Sequence, residues 1–388
     1  MDFSPTRAAG LSALTAFLPK AGQHYTGQRN FDYGPGDRGN ISLLSPYIRH
    51  RLLTEQEVVT AVLGQHSFTA AEKFIQEVFW RTYWKGWLEM RPVVWDVYVR
   101  DVASLRGEAG AYYAQAIAGE TGIQCFDAWV RELTETGYLH NHARMWFASI
   151  WIFTLRLPWQ LGADFFYRHL LDGDPASNTL SWRWVAGLQT AGKTYLAQAE
   201  NIAKFTGGRF KPEAFAHYAP PPSEEAPIAP LPLRDLPAIP HGPVGLLLTE
   251  EDLHPESINW HDATITSIAS IEAMAHNVSP MVGAFKAAAI DGARLRSAAY
   301  YNAPEKALHA WDAQLLIAWA REHSVTAIVT AYIPAGYTQC HIHGITAQLA
   351  AAGISLVQVR RQWDSNAWPR AHKGFFAFKE NIPSLMKV

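Results

Sequence analysis

The chain has 388 residues, enough for two domains that each bury a core of their own. Its formal net charge of -2 excludes long-range attraction of a polyanion by the whole protein, so a nucleic acid would have to be met by a local basic patch. Two isolated cysteines, no secretion signal and no apolar run of roughly 18 residues predict a soluble, cytoplasmic protein without a disulfide framework or a membrane span.

Helical spacing of apolar residues runs through the first half of the chain. The segments that it predicts as helices are 5–19, 55–64, 70–89, 97–117 and 124–136. Residues 25–38 are rich in glycine and proline and predict a loop. No alternating strand pattern occurs before about residue 205, so this part is predicted to be all helical.

Two features of these helices allow either a ligand or a plain structural role. Ser42 and Ser45 precede a short predicted helix, where hydroxyls and free N–H groups suit a phosphate but also suit simple N-capping. On the helix 70–89, an acid, a base and three aromatic residues share one face. A salt-bridged amphipathic helix is the simpler interpretation of this stripe, whose members are Phe74, Glu77, Trp80, Arg81 and Trp84.

The stretch 137–184 packs charges between tryptophans at a density unusual for a hydrophobic core. Burying a charge is costly unless it is paired, so Arg144, Asp172 and Asp174 within this apolar run predict a paired interior that holds a ligand. The chain has 15 tryptophans, and indole rings also stack on flat ligands and on bases. The stretch is therefore predicted to be a site and not only a core.

The spacing of apolar residues along the chain changes in its second half. Nine prolines between Pro220 and Pro243 predict an extended linker. The segments beyond it alternate between strand and helix, which predicts a parallel, Rossmann-like sheet. They are a strand at GPVGLLLT, a helix at 307–323, a strand at VTAIVTAYI, a helix at 345–352 and a strand at ISLVQVRR. No G-x-G-x-x-G fingerprint follows the first strand, and Cys340, His341 and His343 lack the second ligand pair of a zinc site.

Five motifs, HYTGQRNF, SLLSPYI, FIQEVFWRTYW, TGYLHNHARM and DGDPASNTLSWRW, occur in this order. With them the chain resembles the photolyase and cryptochrome flavoproteins over nearly all of residues 5–215, and most closely the class I cyclobutane pyrimidine dimer photolyases. The resemblance implies the fold class α + α/β: an all-helical FAD-binding domain at 1–218, a proline-rich linker at 219–243 and a Rossmann-like antenna-type domain at 244–388. Because that family begins with its antenna domain, the order here implies a circular permutation.

The resemblance implies a U-shaped FAD. The matching FAD-binding positions are Tyr25, Ser42, Ser45, Glu77, Arg81, Tyr138, Asn141, Arg144, Asp172 and Asp174. Arg144 and Asp172 would pair beside the isoalloxazine ring, while Arg81 and the serines would meet phosphate oxygens. Asn178 matches the residue that faces flavin N5, where an amide suits a photolyase.

The resemblance also implies a DNA substrate that contains pyrimidine dimers, bound by a monomer. Two of the matching positions, Trp80 and Trp184, would cradle a flipped-out dimer between flat apolar walls, while a carboxyl and an amide bind its polar edges. The substrate-binding positions are Arg29, Glu77, Trp80, Asn141, Met145 and Trp184. Light would excite the reduced FAD, an electron would enter the dimer, and it would return after the cyclobutane ring has split.

Some positions depart from the family pattern. Trp182 and Trp159 match the inner and middle members of a relay that reduces the flavin in light, but the outer position matches Ala116. Either Tyr112, Tyr113 or another surface aromatic ends the relay, or light reduces the flavin only weakly. His142 stands where arginine is common, which predicts a softer or pH-dependent DNA contact. Ile41 replaces a hydroxyl residue near the flavin phosphates. The implied catalytic set is Glu77, Asn178, Trp159 and Trp182.

The function so implied is light-driven DNA repair, by which the protein would split cyclobutane pyrimidine dimers. One alternative is a cryptochrome-like blue-light photoreceptor that binds the same flavin and signals through a partner. Another is a flavoprotein that binds DNA structures without repairing them. The sequence leaves open a second, antenna chromophore in the C-terminal domain and any preference for (6-4) lesions or single strands.

Overall fold

The N-terminal part of the protein is built from helices. The computed structural model describes residues 3–190, 192–212, 215–221 and 228–386. The helices of this part are α1 (Arg7–Phe17), α2 (Gln23–Gln28), α3 (Ser45–Arg49), α4 (Glu55–Leu63), α5 (Phe68–Glu89), α6 (Pro92–Gly107), α7 (Ala111–Ala118), α8 (Gln124–Thr136), α9 (Asn141–Ser149), α10 (Trp159–His169), α11 (Pro175–Val185) and α12 (Ala199–Phe205). Within the described ranges the first strand begins at Gly242, so the prediction of an all-helical first part is confirmed.

Side-chain caps set the beginnings of the helices that carry the site. Thr54 and Glu57 form a reciprocal capping box at the start of α4. The Ser67 hydroxyl accepts the N–H of Ala70 and so begins α5, a helix of 22 residues. A π-helical turn at Ile150–Thr154 follows α9 and redirects the chain toward α10.

Two predictions about the helical part were inaccurate. The loop predicted from Tyr25 is wrong for its first residues, because α2 extends to Gln28. Packing stabilises this turn despite its glycine, since the Tyr25 ring meets those of Phe17 and Phe74 edge-on, with centroids 5.7 and 5.3 Å away. The pattern predicted over 97–117 is divided between α6 and α7, which are separated by a short turn.

The C-terminal part is a parallel, doubly wound sheet. Its five strands are β1 (Gly242–Leu248), β2 (Ala263–Ile271), β3 (Glu305–Leu308), β4 (Ala327–Ala331) and β5 (Ser355–Val359), in the order β3-β2-β1-β4-β5. The helices α13 (Pro280–Tyr301), α14 (Ala313–Glu322) and α15 (Tyr337–Ala351) connect them. Reversal of strand order beside β1 is the arrangement of Rossmann-like folds, so the predicted fold class is confirmed.

The sequence did not predict β2 and β3. The helix expected at 307–323 begins only at Ala313, where the Asp312 side chain caps it, because the preceding residues pair with β2 as an edge strand. The helix expected at 345–352 is the second half of α15.

The described part of the predicted linker lies along the surface. The N–H of Leu231 donates to the Met90 carbonyl at 2.8 Å, and Arg91 Nε donates to the Ile228 carbonyl at 2.9 Å. Residues 222–227 of this predicted linker lie outside the described residues. Within the described ranges, none of the helices combines the length and the apolar character that crossing a bilayer demands.

After β5 the chain returns to the helical part as α16 (Gln362–Ala367), α17 (Phe375–Lys379) and α18 (Ile382–Leu385). Trp363 stacks on Phe79 of α5 with ring centroids 4.7 Å apart, and its indole N–H donates to the Thr82 hydroxyl at 3.0 Å. Gly86 of α5 permits the backbone at Trp368, just after α16, to pack closely against α5, because a Cβ at position 86 would lie 2.8 Å from the Cα of Trp368. The segment from α16 onward, as far as the described residues reach, therefore covers a central helix of the N-terminal part.

Candidate functional site

A cavity of about 570 Å³ opens between α2, α5, α9 and α11. This volume is in the range of small-molecule and cofactor sites. Its lining includes all but two of the residues predicted to bind cofactor or substrate or to carry the reaction: Tyr25, Arg29, Ser42, Ser45, Glu77, Trp80, Arg81, Tyr138, Asn141, Arg144, Met145, Asp172, Asn178, Trp182 and Trp184. The other two, Asp174 and Trp159, are not among the described residues that line it. The structure thus brings nearly the whole predicted set together.

Arg144 and Asp172 form the predicted ion pair in the cavity wall. The guanidinium donates to both carboxylate oxygens, at 3.0 and 2.9 Å, and its Nε donates to the Leu139 carbonyl at 2.9 Å. Burial alone would raise the pKa of Asp172, but the attraction and hydrogen bonds of Arg144 hold that pKa below its usual value. The carboxylate is therefore ionised and fixed in direction at neutral pH.

Asp174 lies behind the cavity wall and collects positive charge. One carboxylate oxygen accepts the N–H of Ser177 at 2.7 Å, which caps α11. The other oxygen has Arg81 at 3.5 Å and Lys85 and Arg49 at 3.7 Å. Burial would raise the pKa of this carboxyl, but the three cations lower it well below its usual range. Asp174 thus orients Arg81, which does line the cavity.

Glu77 and Arg29 lie next to each other in another part of the cavity lining. They form an ion pair whose side chains are 32% and 28% exposed, so it is open to solvent and ligand. Burial raises the pKa of Glu77, although the neighbouring Arg29 opposes the change. Burial likewise raises the pKa of the nearby Tyr25 phenol, which is therefore neutral at physiological pH.

The lining suits a cofactor with phosphates and a polar ring system. Ser177 Oγ and His142 Nδ1 are buried polar atoms without a hydrogen-bond partner among the described residues, and Arg81, whose Nη1 faces Asp174 at 3.5 Å, lines the same cavity. Such atoms are expensive to bury unless a ligand satisfies them. Together with Ser42 and Ser45, they offer a guanidinium and hydroxyls to phosphate oxygens. The residues present therefore fit FAD.

Asn178 and His142 are placed in ways that bear on their predicted roles. The Asn178 amide donates to the Ala163 carbonyl at 2.7 Å, which fixes the side chain in the cavity lining. Burial lowers the pKa of His142 to about 4. The imidazole is neutral at pH 7, so it does not replace the charge of an arginine at this position.

Flat aromatic rings form one side of the cavity. Trp80 stacks on Phe375 of α17, with ring centroids 3.5 Å apart and planes at 11°. Trp184 stacks on Tyr195 with centroids 5.7 Å apart. Both tryptophans line the cavity, and each is supported from outside by a second ring. The geometry is that of two rigid apolar walls.

Trp182 and Trp159, the two proposed relay residues, have different neighbours. Trp182 meets Trp151 edge-on with centroids 6.1 Å apart, and Trp151 meets Tyr113 at 5.9 Å. Trp159 stacks on Tyr98 at 5.7 Å. Ala116, at the expected outer position, is fully buried. Trp151 and Tyr113 therefore continue from Trp182 toward a partly exposed side chain. The sequence had suggested Tyr113 as a possible end of the relay and Trp151 as ordinary core.

The sequence did not single out a buried ion network that joins the sheet to the site. Arg49 Nη1 donates to Glu251 at 2.8 Å, and Arg49 Nε donates to the Gly173 carbonyl at 2.8 Å. Glu251 follows β1 and also accepts the Thr338 hydroxyl at 3.1 Å. Because Gly173 separates the two aspartates of the site, the α/β part helps to hold the segment 172–174. The oppositely charged runs RHR and EED were the available signal.

Comparisons with known proteins agree with this geometry. Residues 74–214 match the family described as the FAD binding domain of DNA photolyase. The deoxyribodipyrimidine photo-lyase of Synechococcus sp. is 29% identical over 191 residues, which cover 47% of this chain and 39% of that protein. The corresponding protein of Thermus thermophilus is 31% identical over 215 residues, which cover 54% of this chain and 49% of that protein. The chain thus spans about half the length of these curated relatives, or less.

A solved class III photolyase from Agrobacterium tumefaciens superimposes with a TM-score of 0.44 and 27% identity, covering 52% of this chain and 43% of that one. The helical fold and the polar, aromatic-walled cavity define an FAD-binding domain. Residues 74–214 of the chain are thus similar to the FAD-binding domain of DNA photolyases.

Proposed function

We propose that this protein is a light-driven DNA repair lyase that splits cyclobutane pyrimidine dimers and uses FAD as its cofactor. One observation carries the proposal: the substrate-binding residues predicted for a dimer line the same cavity as the residues predicted to bind FAD. A cofactor and a lesion bound there would lie in the same cavity, close enough for an electron to pass between them. The relatives that match this chain are named deoxyribodipyrimidine photo-lyases, which supports the proposal.

The side chains of the cavity have distinct tasks in this proposal. Trp80 and Trp184 provide flat walls that replace the base stack lost when the dimer leaves the duplex. Glu77 and Asn141 offer a carboxyl and an amide to the carbonyl and N–H edges of the two pyrimidines. Burial raises the pKa of Glu77, although its ion pair with Arg29 opposes that change, and the carboxyl group lies in the cavity lining where a pyrimidine edge would bind. Binding therefore orients both rings of the lesion.

When bound, reduced FAD supplies the electron that light promotes into the dimer. The two carbon–carbon bonds between the pyrimidines break and the electron returns, so the reaction has no net oxidation. Arg144 and Asp172 fix their side of the cavity by a bidentate ion pair. Arg81 and the two serines, which line the cavity, would bind the phosphates of the cofactor. The protein contributes position and electrostatics, and the cofactor carries the hard chemistry.

The test is repair of a defined lesion. The protein, loaded with FAD and chemically reduced, is illuminated with an oligonucleotide that contains one thymine dimer. Recovery of the ultraviolet absorbance of the thymine bases is followed, with samples kept in the dark as controls. We expect light-dependent recovery, strongly reduced in Trp184→Ala and retained in Trp311→Phe, a substitution in the α/β part. Absence of light-dependent recovery by the wild-type protein would contradict the proposal and favour a cryptochrome-like photoreceptor.

The order of the two parts supports a second proposal, that the chain is a circular permutation of the family arrangement. The Rossmann-like sheet follows the helical part, and a proline-rich segment connects them. The domain limits 1–218, 219–243 and 244–388 stay predictions.

A further inference from the structure

The chain's C-terminal segment lies against the wall of the cavity. Phe375 is buried and stacks on Trp80, which lines the cavity. The Tyr83 hydroxyl donates to the Lys373 carbonyl at 2.9 Å, and Arg91 donates to the His372 carbonyl at 2.9 Å. These bonds attach the backbone that precedes α17 firmly to α5 and its end. The segment is therefore a fixed part of the rim of the cavity.

The next residue of α17 points to solvent. The side chain of Phe376 is apolar, yet the residue is 77% exposed. Successive residues of a helix are turned by about 100°, and Phe375 occupies the buried side. Lys379 Nζ lies 5.3 Å from the centroid of the Phe376 ring. An exposed ring beside an ammonium group is suited to stacking on a base while the cation meets a phosphate.

The charge of this segment differs from that of the whole protein. Residues 365–379 contain three basic residues and no acidic residue, whereas the chain carries a net charge of -2. Arg370 and Lys373 are exposed and Lys379 is partly exposed. A nucleic acid that binds a near-neutral protein needs such a local patch, and this one adjoins the wall proposed to hold the lesion.

We propose that the rim patch, defined as Arg370, Lys373, Phe376 and Lys379, binds the nucleotides that flank the lesion on the damaged DNA strand. The lysines and the arginine contact phosphates, and Phe376 stacks on a flanking base. The two neighbouring rings thus serve the same substrate: Phe375 supports Trp80 in the wall for the lesion, and Phe376 binds the adjacent strand. The inference rests on DNA being the substrate under the proposed function.

The test measures the binding of a labelled single-stranded oligonucleotide, with and without a thymine dimer, at several salt concentrations. Loss of one stacked base in Phe376→Ala is expected to weaken binding about tenfold. Phe376→Trp is expected to retain binding, because the larger ring still stacks. The double variant Lys373→Ala/Lys379→Ala is expected to lower the slope of log K against log salt by about 1.4, since each phosphate contact on a single strand contributes roughly 0.7.

Matched controls come from exposed residues of the α/β part. Tyr300 on α13 is 64% exposed, and the Lys306 side chain on β3 is 43% exposed. Tyr300→Ala and Lys306→Ala remove the same kinds of group and are expected to leave affinity and salt slope unchanged. FAD content and the thermal midpoint of each variant confirm folding, and the double lysine variant tests the patch while it keeps both Phe376 and the stack of Phe375 on Trp80.

The outcomes separate the patch from the repair activity. If Phe376→Ala binds the oligonucleotide with wild-type affinity and the double variant keeps the wild-type salt slope, the rim patch does not bind the strand. The proposal is then refuted, whether or not the protein repairs DNA. Loss of self-association in Phe376→Ala with unchanged oligonucleotide binding would show that the patch covers a second copy, and would also refute it. A wild-type protein that binds strands through the patch but shows no light-dependent repair would contradict the proposed function and leave this surface standing.

Discussion

Replacing Arg49 by methionine tests whether the α/β part holds the cofactor site in place. Arg49 is completely buried, and its guanidinium lies between Glu251, Glu250 and Asp174. Without it, Glu250 still has Lys286 at 3.0 Å, and Asp174 still has two cations. Glu251 would keep the Thr338 hydroxyl but lose its ion pair with Arg49. Arg49→Met therefore leaves buried negative charge uncompensated.

Removing one partner of a buried ion pair costs about 3–5 kcal/mol of unfolding free energy, and we expect a loss near 3 kcal/mol because Glu250 and Asp174 keep other partners. Urea denaturation followed by circular dichroism and tryptophan fluorescence measures it. The matched control is Arg7→Met, which removes a partly exposed ion pair with Glu57 and is expected to cost about 1 kcal/mol or less.

The pH dependence of the loss identifies its cause. In the native protein, burial would raise the pKa of Glu250, but Lys286 and Arg49 lower it, so this stabilisation is present above the unfolded pKa and disappears as the pH falls through the lower folded value. In Arg49→Met, Glu250 keeps Lys286 but loses the attraction of Arg49, so it is expected to bind a proton more readily in the folded state. The difference between variant and wild type is therefore expected to be largest near neutral pH and to shrink as the pH falls toward the ordinary pKa of a glutamate, about 4.3.

Two further results bear on the mechanism of the loss. Arg49→Met/Glu251→Gln is expected to recover part of the stability, because it removes the carboxylate left without its ion pair. Arg49→Met is also expected to release FAD more readily, measured by the fluorescence of free flavin, since Arg49 binds the carbonyl of Gly173. A double variant as unstable as Arg49→Met, or a loss independent of pH, would refute the reasoning.

Two other predictions concern the tryptophans of the site. Trp159→Phe is expected to slow light-driven reduction of oxidised flavin far more than repair by chemically reduced protein. Trp151→Phe is the comparison, because Trp151 contacts Trp182. Slower photoreduction in Trp151→Phe alone would show that the electron passes through Trp151 and not through Trp159. Gly162→Ala is expected to cost about 1–3 kcal/mol and to perturb the flavin absorption spectrum, because its Cβ would lie 2.3 Å from the Trp182 ring. Its control is Gly292→Ala on α13, where a Cβ meets nothing within 4 Å, and a wild-type thermal midpoint in Gly162→Ala would contradict the packing argument.

Most of the site was predicted from the sequence because five motifs of the chain resemble those of the photolyase and cryptochrome flavoproteins, while helical spacing indicated the stripe on α5. The stripe on α5 and the motif residues of α9 and α11 lie on helices whose apolar period and caps are local properties. The spacing therefore indicated that their side chains share a face. The salt-bridged interpretation of the stripe was also partly right, since Glu77 pairs with Arg29 and Arg81 with Asp174.

Other features depend on residues that are distant in the sequence. β3 is only four residues long and is a strand because it pairs with β2, not because of a pattern of its own. The segment around Phe375 looked like a continuation of the α/β part, and its stacking on Trp80 depends on how the last helices fold back on α5. No local period indicates such a contact.

The sequence by itself determined the helical first part and the alternating second part, because caps and periodicity act over a few residues, and its motifs indicated the cavity residues through their resemblance to a known family. Only the tertiary structure decided which charges pair across the two parts and which ring supports the cavity wall. Arg49 and Glu251 are about two hundred positions apart, and their ion pair exists only because packing excludes water from both. The same packing leaves Phe376 exposed beside the cavity, where the sequence had required a local basic patch without locating it.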